Sequence, residues 1–107
     1  MSTSAPLAER QIAVEGFDFL DQSVEVARLW VQNGGPATCI IDPSVLAAPE
    51  MFGMLMVDAI RHAARAYAQC HGLSEDAALA RIWAGLDAER DDHTTPLNTI
   101  MDHGKPN

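Results

Sequence analysis

Residues four apart on a helix share a face, and Asp58 and His62 have that spacing, with Arg61 and Arg65 one turn away on the same side. A carboxylate that orients an imidazole makes a group able to take or give a proton near neutral pH, and two neighbouring guanidiniums can hold a small anion. Asp58, Arg61, His62 and Arg65 are therefore the candidate ligand-binding residues. The same four also describe a solvated helix face whose ion pairs contribute about 0.3 to 0.5 kcal/mol each.

Other chemistry is sparse. His71, His93 and His103 share no metal-site spacing, and Asp91-Asp92-His93 and Asp102-His103 read as solvated charge. Cys39 and Cys70 lie singly in segments that read as regular structure, which predicts two small buried apolar residues rather than ligands. No nucleophile elbow, phosphate-binding loop or dinucleotide fingerprint is present. The expectation is no catalytic residue, no metal and no cofactor.

The elements that must carry the stripe follow from periodicity and punctuation. Residues 10–15 alternate, with Ile12 and Val14 on one side and Gly16 as a stop, predicting a strand. Asp21 or Ser23 can cap a helix near 22–33, with Ala27, Trp30 and Val31 on one side and Gly34-Gly35 ending it. Pro36 follows, and the β-branched, apolar run at 37–42 predicts a central strand covered on both faces. Pro49 can open a long helix over 49–71 that closes on Gly72, and Ser74 with Glu75 and Asp76 opens another over 74–91. The fold class is α+β, with two layers: a small, mainly antiparallel sheet covered by helices. Residues 1–9 form a flexible lead, 10–92 the single domain and 93–107 a mobile tail.

The long helix is unusual at its start. Met51, Met54 and Leu55 fall on the side that the polar stripe later occupies, so its first two turns are apolar all round. A second cover is needed there. Gly53 costs about 1 kcal/mol relative to alanine inside a helix, which fits the close approach of another backbone. Met51, Met54 and Leu55 are the expected oligomer contacts, and methionines suit an adaptable surface.

A formal charge of -8, from 7 basic and 15 acidic residues, repels phosphate backbones and anionic lipid heads, so neither nucleic acid nor membrane is an expected partner. Neither a basic leader nor about 18 unbroken apolar residues occurs, which predicts a cytoplasmic location.

Trp30, Gly34 and Gly35, a strand, a proline-containing turn, and then the run Phe52-Gly-Met-Leu-Met-Val-Asp58-Ala-Ile-Arg61-His62-Ala-Ala-Arg65-Ala-Tyr67-Ala resemble a family of small bacterial proteins classed as a domain of unknown function. The resemblance covers about residues 10 to 90. It implies a compact α/β module with helices on one side of a small sheet, and no reaction. The leading expectation is a non-enzymatic, homo-oligomeric interaction or accessory module. The alternatives are a small-anion-binding or catalytic domain built on the stripe, and an accessory subunit docking on a larger enzyme through residues 51–57.

Overall fold

The computed structural model describes residues 5–33, 36–94 and 97. A one-turn helix α1 (Leu7–Arg10) and a short 3-10 helix (Asp18–Gln22) lead into strands β1 (Ala27–Val31) and β2 (Ala37–Ile41), then helices α2 (Pro49–His71) and α3 (Glu75–Asp91). The fold is α+β: one antiparallel hairpin of strands followed by one hairpin of helices.

The helices form where the sequence punctuates them. Pro49 stands at the first helical position of α2, where its missing N–H would have no intrahelical partner anyway. Gly72 closes the helix at φ 70°, in the left-handed region that an L side chain resists, and its N–H donates to the Ala68 carbonyl. Ser74 caps α3 by accepting from the Ala77 N–H at 3.0 Å, and Glu75 and Asp76 face the positive end of the helix dipole. The two helices pack against each other, and Arg65 reaches Glu75 across the pair at 3.4 Å.

Three expectations are corrected by the structure. No strand occupies 10–15: Arg10 ends α1, its Nε donating to the Ala5 carbonyl at 2.7 Å, and Glu15 and Gly16 turn the chain. Alternation at Ile12 and Val14 is real, but a strand also needs a ladder, and none reaches them.

No helix occupies 22–33 either. Ala27, Trp30 and Val31 have helical spacing, yet Ala27, Leu29 and Val31 equally have strand spacing, and a segment with three valines and a tryptophan favours the pleated form. The proline-bearing stretch read as a helix end is the loop between strands, with the Gln32 N–H donating to the Pro36 carbonyl at 3.4 Å; Gly34 and Gly35 themselves lie outside the described residues. The strand expected at 37–42 is present as β2, but in a two-stranded sheet it is not a central strand covered on both faces.

The third correction concerns layering. The helices pack on each other and the strands pair with each other, but no helix lies broadly across the sheet. Among the described residues only Ala64 on α2, 1 % exposed, and Ala78 on α3, 2 % exposed, are fully buried. Two alanines do not make a core.

At the end of α3 the Thr94 N–H and hydroxyl donate to the Glu89 carboxylate at 2.8 to 3.1 Å, which holds its pKa below the usual carboxylate range. A carboxyl whose folded pKa is depressed favours the folded chain above its ordinary pKa, and that contribution is lost as pH falls through the lowered value. Thr94→Val removes the hydroxyl but keeps the N–H. A carboxyl-resolved NMR titration is expected to move the Glu89 midpoint part of the way up and to leave the other carboxylates in place. The 93–107 tail otherwise falls largely outside the described residues.

Candidate functional site

Register decides which strand residues share a face. Ala27 pairs with Ile41, Leu29 with Cys39 and Val31 with Ala37, and paired residues project to the same side of an antiparallel ladder. Those six side chains make one face with no polar atom beyond a thiol. The other face carries Arg28, Trp30, Thr38 and Ile40, where both Glu25 carboxylate oxygens accept from the Arg28 Nε at 2.9 Å and raise its pKa further.

The apolar face is open. Leu29 is 66 % and Val31 79 % exposed, and Ala37 and Cys39 are exposed as well. Cys39 and Cys70 are both free, exposed thiols, contrary to the expectation of burial. On the opposite face the buried Trp30 indole N–H has no acceptor among the described residues, an omission of about 1 to 3 kcal/mol for a donor left unpaired.

A second apolar surface begins one element later. Met51, Met54 and Val57 succeed one another at three-residue spacing along the outer side of α2, all exposed, with Met54 at 68 %. Leu55, expected beside them, is half-buried. Between the end of the sheet and the start of α2 lies an apolar cleft of about 370 Å³, with Val26 and Ile41 on one wall and Leu46 and Phe52 on the other. Its floor is the 42–48 connection, where the Asp42 carboxylate accepts from the Ser44 N–H at 3.0 Å and the Ser44 hydroxyl at 2.7 Å.

The polar stripe stands in solvent. Asp58, Arg61, His62 and Arg65 are all exposed, and the described clefts are lined by other residues. No hydrogen bond joins Asp58 to His62 among the described residues, and of the four only Arg65 makes an ion pair, with Glu75. No cluster of three His, Cys, Asp or Glu able to hold a metal occurs among the described residues. No described helix is long and apolar enough to cross a membrane.

The profile of a family described as a domain of unknown function, DUF5076, matches residues 18–94. The chain belongs to the DUF5076 family. That match spans the β-hairpin, the connection and both long helices, so the open sheet face and the outer side of α2 both fall within the DUF5076 domain. No characterised protein matches the chain. A solved structure from the photosynthetic bacterium Rhodopseudomonas palustrus CGA009, provisionally named a pyruvate dehydrogenase, is similar at 35 % identity and TM-score 0.61, over 83 % of this chain and 90 % of that one. Those shares make the two chains about equally long.

Sequence reasoning included Val57 in the apolar 51–57 end but did not single out Leu29, Val31 and Ala37 as an exposed apolar face. The signal was there in the apolar alternation of 27, 29 and 31 and of 37, 39 and 41, masked by reading the first of these as a helix.

Proposed function

We propose that this DUF5076 chain is a non-catalytic interaction module whose fold is completed by self-association. The observation that carries the reading is the mismatch between two fully buried alanines among the described residues and an apolar sheet face on which Leu29, Val31, Ala37 and Cys39 are exposed. An isolated two-stranded hairpin is marginal in water, and stability at this chain length needs apolar area that one copy does not bury. Self-association supplies it without any other component.

Sedimentation equilibrium across micromolar and nanomolar loading tests the proposal. The expected result is a homo-oligomer at micromolar concentration whose melting temperature falls on dilution, as mass action requires when folding and assembly are linked. A monomer that keeps its melting temperature on dilution contradicts it. In this reading Asp58, Arg61, His62 and Arg65 are a solvated face that keeps the assembled module in solution.

A second reading makes the chain an accessory subunit that docks on a larger enzyme through residues 51–57. It is favoured by the provisional enzyme name of a structural neighbour whose chain is only about as long as this one. Co-purification of a stoichiometric heterologous protein, with Met54→Asp releasing it, separates this reading from self-association.

A further inference from the structure

We infer that the open sheet face and the Met51, Met54 and Val57 patch are the two halves of one contact, so that α2 of each copy lies on the β-hairpin of the other in a two-fold exchange. The inference rests on the self-association proposed above and names the surfaces through which it occurs.

An α+β domain buries its sheet under helices, and a helix stripe and a sheet face each need an apolar cover. Here both surfaces are exposed, the sheet face with Ile12 and Val14 across a cleft from Ala27 and Leu29. Helix α2 packs on α3 along the side that buries Ala64, which leaves the outer side of its first turns free. The connection at 42–48 is short and pinned by the Asp42 carboxylate, and an open cleft separates Ile41 from Phe52. Across that cleft the start of α2 does not pack broadly on the strands of its own chain. A second copy can bring the first turns of α2 onto the sheet face.

Three further observations fit a second copy rather than a different protein. The sheet face carries no carboxylate, although the chain as a whole carries a formal charge of -8, so it is an area that a like-charged copy can approach closely. Gly53 lies one turn before Val57, and a Cβ added there meets nothing within 4 Å. One copy therefore gives no packing reason for a glycine that weakens the helix, whereas a partner backbone against it does. The area is of the right order: Leu29, Val31, Met51, Met54 and Val57 expose on the order of 500 Å² per copy, and two copies together bring roughly 1,000 Å², the lower end of specific interfaces. Two-fold symmetry uses both surfaces twice and leaves no end open for a filament.

Directed cross-linking tests the exchange. In a Cys70→Ser background, Cys39 already marks the sheet face, and Met54→Cys marks the helix patch; Met51→Cys provides a second helix position if the first variant folds poorly. Oxidation of the purified chain is expected to give covalent dimers whose mapped disulfides join position 39 of one copy to position 54, or 51, of the other. Gln69→Cys, exposed at the far end of α2, is expected to cross-link to position 39 about tenfold less or lower, because only a held pair reacts at millimolar effective concentration. A dimer by sedimentation that links 39 to 39 or 54 to 54, or that forms no link, overturns the exchange and leaves self-association standing. A monomer under the same conditions overturns both.

Discussion

Leu29→Asp is expected to leave the chain monomeric at concentrations where the natural sequence assembles, and to lower its melting temperature at those concentrations. Leu29 sits at the centre of the apolar sheet face, paired with Cys39 and flanked by Ala27 and Val31 on the same side, and alone it is 66 % exposed. In a single copy an aspartate there would remain hydrated and change little, since exposed substitutions stay within about 0.5 kcal/mol. In an assembly the carboxylate must be buried against the apolar Met51, Met54 and Val57 patch. Truncating a central contact residue weakens an interface by about 2 to 4 kcal/mol, a loss of roughly 30- to 1,000-fold in affinity, and an unpaired charge adds to that. Leu29→Val, which keeps an apolar group on the strand and makes it β-branched, is expected to assemble within about threefold of the natural chain. Gln69→Asp adds the same charge at the far end of α2 and is expected to leave assembly unchanged, which separates a contact effect from an increase in net charge. Sedimentation velocity on the three variants reads the outcome, and a dimeric Leu29→Asp would remove the sheet face from the interface.

The contrast between the two halves of the chain explains what could be read from residues alone. The helical half announces itself through chemistry that acts within a few residues: Pro49 at the first helical position, Gly72 in the left-handed region, Ser74 accepting from Ala77, and acids in the first turn of α3. Each of those signals is local, so a local reading places 49–71 and 74–91 correctly. Residues 24–31 are different because two periods coexist there. Ala27, Trp30 and Val31 fit a helix and Ala27, Leu29 and Val31 fit a strand, and the choice is made by pairing with 37–41, which no local pattern contains. Layering was the least legible feature. An apolar strand face implies a cover but does not say whose, and reading that cover as this chain's own helices placed it in the wrong copy if the exchange holds. The polar stripe was legible as a stripe, since four side chains at helical spacing must share a side, but a concavity around them depends on neighbouring elements, and the structure leaves all four in solvent.

Ala64→Leu is expected to be the most damaging substitution within the helical hairpin, for a reason independent of assembly. Ala64 and Ala78 are the two fully buried residues among those described, one on each helix, and small side chains there allow the backbones to approach. Added carbons have no void to enter; they must push the helices apart or force strained rotamers, which costs about 1 to 3 kcal/mol at a well-packed position. Ala78→Leu is expected to cost a similar amount, and the double variant less than the two combined, because once the helices have separated the second side chain meets a gap already opened. Ala66→Leu supplies the comparison: it lies two residues from Ala64 on the same helix, is exposed, and keeps helix propensity nearly constant, so its effect is expected to stay within about 0.5 kcal/mol. Urea unfolding followed by circular dichroism at fixed concentration measures all four variants. If Ala64→Leu proves as mild as Ala66→Leu, the helical hairpin is held by something other than close alanine packing, and the weight of stability moves to the surfaces that a second copy covers.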